Sequence, residues 1–133
     1  MNKRFKKWKQ PEFNSKNMTR WNWMCQNQEK LKLGLYVDIG AFTYINAKYG
    51  VKIEKDAQIG SHCSIYSVST IDGKQGEVCI KENARIGTHC TIMPGVTIGK
   101  NSVVGAYSFV NKNIPDDTLA FGVPVKIIRK LRK

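Results

Sequence analysis

The chain has 133 residues, of which 41% are hydrophobic and 10% aromatic. That is enough apolar surface for one small domain with a buried core, and too much for a disordered or fibrous chain. The formal net charge of +12 gathers at the ends: Lys3, Arg4, Lys6, Lys7 and Lys9 open the sequence, and Lys126, Arg129, Lys130, Arg132 and Lys133 close it.

The opening segment MNKRFKKWKQPEF is charged but lacks the apolar stretch of a secretory signal, and no later run is long and apolar enough for a membrane-spanning helix. Four cysteines, Cys25, Cys63, Cys79 and Cys90, have no CxxC spacing. They read as reduced thiols of a cytoplasmic protein rather than a disulfide framework. A basic terminus can bind nucleic acid, an anionic membrane or a polyphosphate cofactor. The middle of the chain shows neither an RNA-binding module nor aromatic platforms, so the opening run is read as solvated, with no nucleic acid and no stable membrane insertion among the expected partners. Residues 1–32 are expected to form a cap, with the aromatic side chains of RWNWM packing on the first turn of the domain.

From Leu33 an aliphatic residue recurs at every sixth position: Leu33, Ile39, Ile45 and Val51. The phase slips by two and resumes as Ile53, Ile59, Ile65 and Ile71. After a further slip it runs through Ile80, Ile86, Ile92, Ile98, Val104 and Val110. A small residue stands four places after most of these anchors (Thr43, Ala57, Cys63, Ser69, Ala84, Cys90, Ser102, Ser108), and Gly follows directly at Gly34, Gly40, Gly60, Gly87, Gly99 and Gly105. A period of six belongs neither to a helix nor to a single strand. It describes a short strand, a corner and another short strand, with one bulky residue turned inward per segment. Stacked coils of this kind make a parallel β-helix, expected over residues 33–113. The near-identical stretches IGSHCSI and IGTHCTI are then repeat units. They place His62 and His89 outward and Cys63 and Cys90 inward. Counting hexads along the chain sets the two histidines on different faces of one prism.

The pattern [LIV]-G-x-x-[small]-x resembles the left-handed parallel β-helix of the hexapeptide-repeat acetyltransferases. The stretch IGTHCTIMPGVTIGKNSVVGAYSFVNKNIPDDTLAFGVPVKIIRK is similar to the last coils and tail of their galactoside, maltose and serine branch. The resemblance runs from about Val37 to Arg129 and implies a homotrimer that binds acetyl-CoA between subunits. It places Thr88 near the thioester and Ala106 on the pantetheine arm. Asn111 and Lys112 fall beside the nucleotide, where the family has Thr-Lys. Lys126 and Arg129 fall near the phosphates, in a tail over residues 114–133. Basic side chains beside a rigid coil suit the charges of CoA. Asn46 and Glu54 match an amide and an acidic residue that face the acceptor sugar, and both types bond sugar hydroxyls.

One feature of the family is missing. Its catalytic histidine stands on a loop between coils, and the corresponding segment here, STIDGKQGEVCI, offers only Asp72, Lys74 and Glu77 as ionisable groups. The general base is therefore His62, His89 or neither, the last being suited to an amine acceptor that arrives deprotonated. The implied activity is acetyl transfer to a sugar or nucleotide-linked amino sugar of a surface polysaccharide. A non-enzymatic β-helix scaffold is the alternative. A metalloenzyme like the γ-carbonic anhydrases is a further one, although two histidines fall short of three-His zinc ligation, and no metal is expected.

Overall fold

The computed structural model describes residues 5–131; Lys3, Arg4, Arg132 and Lys133, named above for their charge, lie outside them. The strands follow the hexad. The first coil comprises β1 (Met24–Gln26), β2 (Leu31–Leu33) and β3 (Asp38–Ile39), and the second β4 (Tyr44–Asn46), β5 (Val51–Ile53) and β6 (Gln58–Ile59). The third comprises β7 (Ser64–Tyr66), β8 (Val78–Ile80) and β9 (Arg85–Ile86), and the fourth β10 (Thr91–Ile92), β11 (Thr97–Ile98) and β12 (Val103–Val104). The chain then runs through β13 (Phe109–Val110), β14 (Thr118–Phe121) and β15 (Lys126–Lys130).

Three faces result: β1-β4-β7-β10-β13, β2-β5-β8-β11 and β3-β6-β9-β12-β14, with β15 at the outer edge of the third. All pairs inside the stack are parallel. The chain is a parallel β-helix.

Register turns the sequence period into columns. On the first face Cys25, Ile45, Ile65, Ile92 and Val110 lie one above another, and on the third Ile39, Ile59, Ile86, Val104 and Ala120 do the same; all are buried. A β-branched side chain packs well on the like side chain directly above it, which is why Ile and Val dominate these positions. The buried hydroxyls are bonded to carbonyls, as burial requires. Thr43 donates to the Gly60 carbonyl at 2.9 Å, Ser67 to Asn46 at 2.7 Å and Ser108 to Gly105 at 2.6 Å. Among the described residues no buried side-chain nitrogen or oxygen lacks a partner.

The structure departs from the hexad count in four places. Val51 and Ile53 both point inward from the two ends of one three-residue strand, as do Val78 and Ile80, so the two-residue slip is a wider second face. Ile71 is not an anchor: it is 98% exposed, and Val78 occupies the place opposite Val51. Ser69 likewise sits on an excursion, and Ser67 fills the buried small position. That excursion leaves the prism after Tyr66 and returns at Val78. It is closed by the Ser69 N–H on the Lys74 carbonyl (2.8 Å) and by a bridge between Val68 and Gln75.

The stack also begins before residue 33, because Met24–Gln26 already pairs with Tyr44–Asn46. Ahead of it Trp23 is 2% exposed and meets Phe13 edge-on at 5.5 Å, while the Trp8 indole N–H donates to the Val37 carbonyl at 2.9 Å. At the other end β15 returns antiparallel to β14.

The columns carry the stability. Ile92→Ala should lower stability by about 2–5 kcal/mol, read from the denaturant midpoint. Ile71→Ala should leave it within about 0.5 kcal/mol.

Candidate active site

Four coils turn the corner from the third face to the first with the same short pattern: Gly40-Ala41-Phe42-Thr43, Gly60-Ser61-His62-Cys63, Gly87-Thr88-His89-Cys90 and Gly105-Ala106-Tyr107-Ser108. The Gly is needed because consecutive coils touch there. A Cβ on Gly87 would meet the Ala106 nitrogen at 2.6 Å, and one on Gly60 the Thr88 nitrogen at 2.8 Å. The third residue of each unit is left-handed, with φ of 64°, 59°, 58° and 62° for Phe42, His62, His89 and Tyr107. This conformation is uncommon for side chains with a Cβ. It is held by inter-coil bonds, the His62, His89 and Tyr107 N–H groups donating to the Ala41, Ser61 and Thr88 carbonyls at 3.0, 3.1 and 2.9 Å.

The left-handed turn throws each ring outward over the one below. Centroids lie 5.2 Å apart for Phe42 and His62, 4.8 Å for His62 and His89, and 4.7 Å for His89 and Tyr107, the last two pairs being nearly parallel at 2° and 8°. His62 and His89 are therefore neighbours on one corner, not on different faces. The extra residues between them form the excursion after Tyr66 and do not advance the chain around the prism, so β7 pairs directly with β10. The sequence holds a signal for this column, the recurring Gly-small-aromatic-small unit, but hexad counting passes over it because Phe, His and Tyr differ in type.

The column forms a ridge at the corner where the third and first faces meet, and each of those faces carries a groove. On the third face a groove of about 440 Å³ runs over Asp38, Gln58 and Arg85 and along the corner glycines to Ala106. On the first face a cavity of about 470 Å³ is walled by Tyr44, Asn46, Tyr66 and Met93 and overhung by Ser69, Thr70 and Ile71 of the excursion. Both imidazoles are exposed, and His62 Nδ1 lies 3.0 Å from the Ser61 hydroxyl.

The remaining expected site residues fall at several places. Thr88 is half-buried beside His89, and Ala106 is exposed on the third-face groove. Asn111 and Lys112 follow β13 on the first face, whereas Lys126 and Arg129 are exposed on β15 at the edge of the third. Asn46 sits in the first-face cavity, its amide 3.2 Å from the Tyr44 hydroxyl. Glu54 does not join it: it follows β5 on the second face, where its carboxylate accepts the Glu82 N–H at 3.1 Å. Asp72 is exposed on the excursion, and the Lys74 backbone N–H holds its carboxyl below the usual range, which works against a role as base. Among the described residues no three His, Cys, Asp or Glu side chains converge on a point, and no helix is long and apolar enough to cross a membrane.

Beneath the ridge Cys63 and Cys90 are buried, their thiols donating to the Gly87 and Gly105 carbonyls, each at 3.2 Å.

Residues 80–112 match the bacterial transferase hexapeptide (six repeats) family. That stretch carries the repeat of the hexapeptide transferases. This hexapeptide-repeat chain is 36% identical over 113 residues to a galactoside O-acetyltransferase of Lactococcus lactis, covering 74% of itself but 55% of that relative. It therefore spans about half the length of that curated protein. Its fold matches a hexapeptide-repeat-containing acetyltransferase of Vibrio cholerae, crystallised with acetyl coenzyme A, at a TM-score of 0.79. The identity is 28%, over 84% of this chain and 66% of that one. A maltose O-acetyltransferase from Clostridium difficile matches at a TM-score of 0.76 with 27% identity, over 84% and 65%.

The thiols give a test of these environments. Burial, then the nearby Glu29, pushes the Cys25 thiol up to about 12. Contact with Cys90, then burial, pushes the Cys63 thiol up, and the same contact draws the Cys90 thiol down. At pH 8 a thiol reagent should modify Cys79, the one half-exposed cysteine, and reach the other three only on unfolding. A thiol whose folded pKa is raised stabilises fully below the ordinary value of about 8.5 and loses that contribution as pH climbs toward the folded one. The melting temperature should therefore fall between about pH 9 and 12, and less steeply in Cys25→Ala.

Proposed function

We propose that the chain transfers an acetyl group from acetyl-CoA to a hydroxyl or amine of a sugar, or of a nucleotide-linked amino sugar, in the assembly of a surface polysaccharide. The observation that carries this reading is the stacked, exposed imidazole pair on the corner whose glycines, Gly60 and Gly87, line the third-face groove, which sets a proton acceptor beside that groove. The relatives named above add support: one solved fold-mate holds acetyl coenzyme A, and two relatives are sugar O-acetyltransferases.

In this reading the glycine-lined groove takes the pantetheine arm past Ala106 and Thr88, and the β15 cations, Lys126 and Arg129, with Lys112 of a neighbouring copy, meet the phosphates. Asn111 lies beside the nucleotide. Because Lys112 and the β15 cations stand on different faces of one chain, a CoA site that uses both is shared between copies, and in this reading the copies form a homotrimer with its clefts between subunits. The first-face cavity, with Asn46, takes the acceptor. Glu54 and Asp72 reach it only from another copy or by movement of the excursion.

With Nδ1–H donating to the Ser61 hydroxyl, His62 presents a lone pair on Nε2. It takes the proton as the acceptor oxygen attacks the thioester carbon. The C–S bond then breaks and the imidazolium returns the proton to the departing CoA thiolate. His89, stacked on His62, is the other candidate for this step.

Lys126→Glu with Arg129→Glu should raise the KM for acetyl-CoA severalfold, more so as salt is lowered, with little change in melting temperature. Unchanged CoA affinity would remove the tail from the site. For a hydroxyl acceptor, the Asn or Ala variant of the base should cut kcat roughly 10²–10⁴-fold, measured by thiol release, with CoA affinity retained. If His62→Asn and His89→Asn both keep parental kcat, no histidine is the base and an amine is the better acceptor.

A further inference from the structure

The charge of this molecule is placed unevenly. Between Trp21 and Val125 acidic and basic residues nearly balance, whereas the segment ahead carries Lys3, Arg4, Lys6, Lys7, Lys9, Lys16 and Arg20 against Glu12 alone. Inside this segment lies a pocket of about 360 Å³ lined by Phe5, Lys7, Trp8, Lys9, Arg20 and Trp21. Its volume is at the small-ligand end of the usual range, roughly 300–1,000 Å³.

The walls are aromatic and fixed. Phe5 meets Trp21 edge-on at 5.8 Å, and Trp8 is held by its indole hydrogen bond to the Val37 carbonyl on the first coil. The rim is cationic: the Arg20 guanidinium stands 5.1 Å over the Trp21 ring, Lys7 and Lys9 flank Trp8, and among the described residues no carboxylate pairs with any of the three. A planar apolar group can lie against such aromatic walls, and ammonium and guanidinium groups at the mouth match phosphate oxygens.

We infer that this pocket is a binding site for a nucleoside diphosphate or its sugar conjugate, with the base among Phe5, Trp8 and Trp21 and the diphosphate on Lys7, Lys9 and Arg20. All three rings are half-buried, and Trp8 and Trp21 pack against the core rather than projecting, so the geometry favours a small ligand entering a concavity over a flat lipid surface. The site is remote in sequence from the ridge and tail assigned to acetyl transfer, and stands whether or not that reading does.

Trp8 and Trp21 report the test. Titration with UDP, whose base sets it apart from the adenine nucleotide of CoA, should quench tryptophan fluorescence saturably, and inorganic pyrophosphate should bind more weakly. Lys7→Glu with Lys9→Glu should weaken nucleotide binding about tenfold or more, in keeping with charge-assisted phosphate contacts. Trp21→Leu, which keeps an apolar wall but removes the stacking plane, should weaken it as well. Lys126→Glu with Arg129→Glu should leave it unchanged. Binding lost only in the latter variant would assign the nucleotide to the tail and overturn the proposal. So would the absence of a saturable signal in the millimolar range, or sedimentation with anionic phosphatidylglycerol vesicles without nucleotide binding.

Discussion

Consecutive coils of this prism approach one another so closely at the corners that a side chain has nowhere to go. At Gly34, Gly40 and Gly99 an added Cβ would fall 2.4–2.5 Å from the backbone of the coil above, well inside van der Waals contact. That approach lets every strand of two or three residues pair in register with the next, and strands so short hold only through such pairing and the side-chain columns that it aligns. Columns of isoleucine, bonded inward hydroxyls and outward rings all inherit their alignment from it. A shift of one residue in any coil would turn its inward set outward.

The same corner generates the chemistry. To pass from the third face to the first the backbone takes a left-handed residue in each coil, and the parallel stacking repeats that residue at the interval between coils. Histidine at such a place is neither buried nor free. Its ring is sandwiched between neighbours, its edge faces solvent and its backbone N–H is bonded to the coil below. A rigid imidazole on an exposed edge is a favourable setting for proton transfer, since orientation is fixed before any ligand arrives.

Much of the architecture was legible in the sequence because a packing rule and a spacing rule coincide: a bulky residue inward at every sixth place, glycine beside it. Ile39, Ile45, Ile59, Ile65, Ile86, Ile92 and Ile98 could all be placed inside from the period alone. What misled was the assumption that every aliphatic residue in phase is an anchor. Ile71 satisfies the spacing, yet the chain has already left the prism; a period cannot distinguish a coil from a loop of similar length. The misplacement of His89 relative to His62 came from that one residue. Glu54 lies apart from Asn46 within one chain because its carboxylate serves the backbone of Glu82 in the next coil, an inter-coil bond that has no trace in local sequence.

The excursion after Tyr66 has a consequence for how such a molecule can change. It leaves and rejoins the prism at Ser67 and Val78, both buried; its outer part closes upon itself between Ser69 and Lys74, while the Gly76 carbonyl accepts the Gly95 N–H of the next coil at 3.2 Å. Residues 69–74 can therefore be lengthened, shortened or rewritten without moving a neighbouring strand, while the wall that Ser69, Thr70 and Ile71 supply to the first-face cavity changes with them. Selectivity and scaffold are thus separable inheritances: one short loop can drift toward a new ligand while the prism beneath it stays under the unrelenting constraint of its own repeat.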